Sequence, residues 1–298
     1  MVDFSVPWPN GARCAVAFTF DMDADSLLHL AHPKDSYRRL AATSELRYGP
    51  LVGVPRILDL YERYGLKQSF FIPAWCVEEY PDTVEAIIKA GHEIGHHGYI
   101  HENPNDLSLE QEKDCLHRGI EIIERHTGKR PRGYRAPLYN ASENTLDLLL
   151  EAGCFTYDAS LMGHDIPYLI SSDKGDLVEL PTHWGLDDWP PYVHMSDIDF
   201  NMPVRAPSQA IIAFRDEFDT AWENGGLWIA PWHPFVSGRP ARLRAIEGLL
   251  RHMLDKSDVW IAPMEEIAAH IRKVTASGQF QPRIDQLPYY REPVSVDR

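Results

Sequence analysis

The sequence is poor in several things that would narrow its class at once. Four cysteines occur in 298 residues, Cys14, Cys76, Cys115 and Cys154, and no two stand at C-x-x-C spacing. That argues against a disulfide framework and a cysteine zinc site, and predicts reduced, mostly buried thiols. No apolar run reaches about 18 residues, so no membrane-spanning helix is expected and no membrane partner. Positive charge is scarce: 29 Lys and Arg stand against 44 Asp and Glu, a net charge of −15. The basic pairs Arg38-Arg39 and Lys129-Arg130 are isolated, which argues against a nucleic-acid partner and leaves solubility as the use of the acidic surplus. The opening MVDFSVPWPN has no basic cluster before an apolar run and makes a poor signal peptide, so a cytoplasmic location is expected.

What is present is a core and a rhythm. Hydrophobic residues make up 44% and charged residues 24%, ordinary values for a globular chain. Strand-like runs alternate with helical patterns: CAVAFTF (14–20), QSFFIPAW (68–75), EIGHHG (93–98), RGYRAP (132–137), LVELPT (177–182), LWIAPWHP (227–234) and VWIAP (259–263) read as strands. Helices are expected over 53–65, 81–91, 108–128, 142–153, 208–226, 239–256 and 265–276, the third opened by a capping box of Ser108 and Gln111. Alternating β and α units predict an α/β fold with a parallel sheet, and about seven repeats fit a distorted (β/α) barrel better than an open sheet. One domain, 1–298, is expected. Two long irregular stretches interrupt it, 24–50 and 183–207, and a tail covers 278–298. Loops of that length usually cover a site or bury a subunit contact.

In such a barrel the chemistry lies at the carboxyl ends of the strands. There the sequence puts Asp21 and Asp23, the histidines of EIGHHGYIH, Arg135 and Tyr139, the acids of THWGLDDW, and His233. Two aspartates one residue apart point the same way from an extended strand end and repel unless a cation sits by them. Alone, such a pair could be a capping turn. Beside His97 and His101, spaced i and i+4, it reads as a three-ligand site with open positions, as in catalytic zinc centres, although non-haem iron(II) takes the same ligands. His96 points to the opposite face from His97 and reads as a core or neighbouring histidine. Trp75, Trp228 and Trp232 read as core, and the helical His117, His126, His252 and His270 as surface. Glu179 could be a buried cation partner or a strand-edge charge.

The stretches TFDMD, HHGYIH, RAPLY, DDW and WHP stand in the order and spacing of the five motifs of the polysaccharide deacetylase family, the NodB-homology group or carbohydrate esterase family four, over residues 10 to 275 or so. The chain most resembles a cytosolic branch holding cyclic imide hydrolases, peptidoglycan-deacetylase-like proteins and allantoinase relatives. The resemblance implies a NodB-type distorted barrel. It implies Asp21 as catalytic base, Asp23, His97 and His101 as metal ligands, and Arg135 as the holder of Asp21. It implies Tyr139 as the donor of an oxyanion N–H, His233 as general acid, Asp188 as the acid that tunes His233, and Trp189 as a pocket wall. Asp187 competes with Asp188 for its role, and Met22 splits the family's usual Asp-Asp pair. The cofactor implied is a divalent ion, zinc first, with cobalt, manganese, nickel or iron compatible.

The implied reaction is hydrolysis of an amide C–N bond. A small cyclic imide or related small amide is the expected substrate, because the two inserted stretches could roof the site. Deacetylation of aminosugars or peptidoglycan is the alternative. An iron oxygenase is disfavoured by the βα rhythm, and a non-catalytic binding protein by the presence of both Asp21 and His233, which metal binding does not need. A dimer or tetramer is a further expectation from the insertions and tail.

Overall fold

The computed structural model describes residues 6–293; the first five residues of the N-terminal reading and the last five of the tail lie outside it. In chain order the strands are β1 (Cys14–Asp21), β2 (Ser69–Ile72), β3 (Glu93–His96), β4 (Gly133–Tyr134), β5 (Tyr157–Asp158), β6 (Tyr168–Ser172), β7 (Gly175–Glu179), β8 (His194–Met195), β9 (Phe200–Asn201), β10 (Leu227–Trp232), β11 (Val259–Ile261) and β12 (Ile284–Gln286). Ten of them form one curled sheet in the order β10-β1-β2-β3-β4-β5-β7-β6-β12, with β11 also on β1. β1 is its axis: β10 runs along one side, while β11 takes Cys14–Val16 and β2 takes Thr19–Asp21 on the other. All eight β1 residues are buried, as a strand covered on both faces requires. The pairing is parallel except between β6 and β7. The result is the distorted half-barrel that the rhythm of strands and helices predicts.

Alternation along β1 sorts its side chains. Val16, Phe18 and Phe20 join the apolar layer of Trp228 and Trp232, under the helices. Ala15 and Ala17 face a second cluster holding Phe71, Tyr157 and Ile229, with Thr19 and Asp21 above them on the same face. Small residues on β1 leave room for large ones from its neighbours. Gly95 of β3 does the same, since a Cβ there would come within 2.7 Å of the Phe71 ring. The long helix Leu109–Thr127 begins with both bonds of the Ser108–Gln111 capping box and ends at Gly128 with φ +73°.

Three stretches differ from expectation. Residues 24–50, read as irregular, carry the helices Ser26–Ala31 and Leu40–Tyr48; only Ala42 and Leu46 of the latter are buried, so its apolar stripe is faint in the sequence. QSFFIPAW is a strand only to Ile72, because Pro73 turns the chain into the helix Ala74–Glu79, which carries Trp75 half-buried against His29. The tail supplies β12, which pairs parallel to β6. Stretch 183–207 is a loop holding the short helix Trp189–Tyr192 and the β8–β9 hairpin. Among the described residues no helix is long and apolar enough to cross a membrane.

Candidate metal centre

β1, β3, β4 and β10 all end at one mouth, and each delivers a side chain there. Asp21 closes β1 and Asp23 follows it, while Met22 between them is buried in the helix-side layer. The same alternation along β3 turns Glu93, Gly95 and His97 inward and His96 outward. His96 is then spent on structure: its Nε2–H donates to Leu116 O at 3.1 Å and its Nδ1 accepts the Gly98 N–H at 3.1 Å. Burial holds its pKa down at about 3.

His97 donates Nδ1–H to Arg135 O at 2.7 Å, which fixes the tautomer and leaves Nε2 as a lone pair. His101 sits at φ +67° in a turn that begins at Gly98 with φ +75°. Glu102 holds that turn. Its carboxylate accepts the Tyr99 N–H at 2.8 Å and the Ile100 N–H at 2.7 Å. Sequence reasoning missed Glu102; an acid four residues past a glycine, able to reach back to the N–H groups two and three residues before it, was the available signal.

The three ligand atoms converge on Asp23. His97 Nε2 and His101 Nε2 each lie 3.5 Å from one of its oxygens. That is long for a charged hydrogen bond but close to the spacing of about 3.4 Å between ligands set tetrahedrally about 2.1 Å from one ion. Both Asp23 oxygens are buried with no hydrogen-bond partner. A buried carboxylate with spent solvent and unspent lone pairs is costly unless a cation completes it. Burial would raise the Asp23 pKa, but His101, His97, His233 and Arg135 outweigh it and hold the carboxyl below its usual value. The residues present therefore fit a divalent metal ion.

Around this trio lie two further groups. Arg135 is fully buried and gives Nη1 to Asp21 Oδ1 at 2.5 Å and to Thr19 Oγ1 at 3.0 Å, and Nε to Ala159 O at 3.3 Å. Asp21 Oδ2 stands 3.8 Å from His97 Nε2. On the other flank, His233 Nδ1–H donates to Asp188 Oδ1 at 2.7 Å, and Asp188 also accepts the His233 N–H and the Ser237 hydroxyl. Burial lowers the His233 pKa, but Asp188, Asp187 and Asp23 overcome it and raise it to about 10. Between the two adjacent acids the geometry selects Asp188 as the direct partner of His233. Asp187 lies 3.9 Å from the imidazole and accepts instead the Tyr139 hydroxyl at 2.6 Å and the Trp189 N–H at 2.7 Å. The Tyr139 N–H is already given to Ala136 O at 2.9 Å, so in this conformation its phenol, rather than its amide, is what reaches the site's acids. Trp189 stands 5.1 Å from the His233 ring.

Glu179 does not meet the metal centre. It is buried against Asp158 at the ends of β7 and β5, and burial first, then the Asp158 charge, raises its pKa well above the usual carboxylate range.

Comparison with known proteins gives the family. Residues 48–156 match the polysaccharide deacetylase family model, a span that holds His97, His101, Arg135 and Tyr139. The chain is 34% identical over 243 residues to a peptidoglycan deacetylase of Helicobacter pylori, covering 73% of this chain and 83% of that one. It is 34% identical over 235 residues to the peptidoglycan deacetylase-like protein FGM2 of Gibberella zeae, covering 67% and 69%. A solved polysaccharide deacetylase family structure from Mycobacterium smegmatis superposes with a TM-score of 0.89 at 40% identity, over 95% of this chain and 97% of that one. The Puue allantoinase structure shares the fold, with a TM-score of 0.79 at 24% identity over 92% and 94%. The chain belongs to the polysaccharide deacetylase family, hydrolases that act on carbon–nitrogen bonds other than peptide bonds.

Proposed function

We propose that this chain hydrolyses the C–N bond of a small amide, a cyclic imide foremost, at a divalent ion held by Asp23, His97 and His101, with zinc the first candidate. When bound, such an ion lowers the pKa of a water and polarises a carbonyl. Asp21, aimed by Arg135, accepts the proton of the attacking water. His233, kept cationic by Asp188, donates a proton to the departing nitrogen. Tyr139 and Trp189 wall the pocket beside them.

The observation that carries the substrate size is the volume of the pocket. The pocket is about 530 Å³, a small-molecule volume, and both inserted stretches line it. They are tied together there: Arg39 Nη1 bonds Asp197 Oδ1 at 2.5 Å and His32 Nε2 donates to Asp197 O at 2.5 Å.

A second reading, removal of N-acetyl groups from aminosugars or peptidoglycan, is favoured by the likeness to the Helicobacter pylori peptidoglycan deacetylase and the Gibberella zeae peptidoglycan deacetylase-like protein. A panel of succinimide-like rings, allantoin-like ureides and N-acetylglucosamine oligomers, given to metal-loaded protein, separates the two. Ring opening of the imides is the expected result. Acetate release from the sugars alone would overturn the preferred reading.

A further inference from the structure

Part of the pocket lining has a composition of its own. Leu27 and Leu30 come from the helix Ser26–Ala31, Ile198 and Phe200 from the second insertion, and Leu138 and Trp184 complete the rim. Several of these large apolar side chains are far from buried: Leu30 is 41% exposed, Trp184 48% and Leu138 49%. Apolar surface gathered in a concavity and left to water is unspent binding energy. The charged groups on the lining are acids and histidines: Asp21, Asp23, Glu102, Asp106 and Asp187 beside His97, His101 and His233, with no Lys or Arg among them. Away from the metal and His233, a ligand carboxylate or phosphate arm would meet carboxylates of like charge.

The wall is also held in place. Ile198 follows Asp197, which Arg39 and His32 clamp to the first insertion, and Phe200 is fixed by the β8–β9 pairing with Met195 and by its contact with Trp189, ring centroids 5.7 Å apart. A fixed wall can discriminate, because a substituent that fills it gains contact without first ordering a loop.

We propose that Leu30, Ile198 and Phe200 form a specificity subsite for an uncharged, apolar substituent carried by the substrate. The inference rests on the reading of the centre as a small-amide hydrolase. The preferred substrates are then substituted imides or amides with an aliphatic or aromatic arm, and unsubstituted or carboxylated rings are poor ones.

Two probe series test this on metal-loaded protein. One is a set of cyclic imides bearing hydrogen, methyl, isopropyl, phenyl or carboxylate, read as kcat/KM. The other is a set of hydroxamates with the same arms, read as Kd by calorimetry, which needs the metal centre but no turnover. Each methylene added should improve either readout about fourfold, and the carboxylate should weaken it about tenfold or more. Leu30→Ser, at a half-exposed position that folding tolerates, and Ile198→Ser should each shrink the phenyl-to-hydrogen ratio about fivefold. Imide turnover without a slope overturns the subsite and leaves the hydrolase reading standing. A slope among hydroxamates without imide turnover keeps the subsite and overturns the imide reading. A preference for the carboxylate arm in either series overturns the subsite.

Discussion

Two acid-and-imidazole clusters lie side by side in this molecule, joined where His233 Nε2 comes within 3.5 Å of Asp23. Asp23, His97 and His101 make one; Asp187, Asp188 and His233 make the other, and both bring their ligand atoms within 4.8 Å of one another. They differ in what those atoms are doing. In the second cluster Asp188 accepts the His233 imidazole and amide and the Ser237 hydroxyl, and Asp187 accepts Tyr139 and Trp189. In the first, both Asp23 oxygens are buried and idle. Residue type cannot separate a metal site from a proton-handling site; the satisfaction of the lone pairs does.

The comparison breaks most sharply if the idle cluster is not where metal binds. His97→Ala or Asp23→Asn should remove the ion, measured by elemental analysis, and lower kcat/KM by about 10³-fold or more, since several kcal/mol of charge stabilisation go with it. Retention of a stoichiometric ion in Asp23→Asn would show that the other cluster holds it. Asp21→Asn should keep the ion and still lower kcat by about 10²–10⁴-fold, which a steady-state assay on the best imide reads directly. An unchanged rate would move the chain toward a binding role.

The second cluster is sharpened by pH. With His233 as the proposed general acid and its pKa pushed up to about 10, rate should be present below that value and lost as pH rises through it. Asp188→Asn removes the largest raising influence, so the alkaline limb of the kcat/KM profile should move to lower pH while metal content stays the same. Immobility of that limb would detach Asp188 from His233.

Smaller effects are expected at the paired acids behind the site. Glu179 keeps its proton in the folded chain and loses it at about 4.3 in the unfolded one, so stability is fully present at low pH and declines as pH rises toward the folded value. Glu179→Gln keeps a donor facing Asp158 without that loss. The fall in Tm between pH 6 and pH 9 should shrink by about 2 °C or more, as followed by thermal melts. Gly119→Ala should act on stability alone: its Cβ would land 2.1 Å from His96 Nε2, and moving the helix aside costs about 1–3 kcal/mol in a urea titration, with the ion retained.

What could be read from the sequence follows from how far apart the cooperating residues lie. Asp21, Asp23, His97, His101, Arg135 and His233 sit at or just beyond the ends of β1, β3, β4 and β10, so local spacing plus one rule of barrel geometry places them together. Which acid serves His233 was not readable, because it depends on Asp187 being claimed by Tyr139, 48 positions away. The pairing of Glu179 with Asp158 has the same character. β4 falls inside the run RGYRAP read as a strand, but β5 is two residues long and shows no alternation to detect. The helix Leu40–Tyr48 was hidden because few of its residues are buried, and β12 because an exposed tail becomes a strand only when β6 offers it a partner.

That last pairing has a consequence for the life of the protein among its own copies. β12 ends the strand order, so it covers what would otherwise be the bare edge of β6. Its backbone is stitched on by the Leu169 N–H to Arg283 O at 2.9 Å and the Leu287 N–H to Ser171 O at 2.8 Å. The new edge carries an Arg283–Asp285 ion pair and runs into Pro288, charges and a missing N–H that discourage a further strand from adding. A chain cut ahead of Arg283 would lose β12 and leave the β6 ladder as an open edge of the kind that templates pairing with a neighbouring copy.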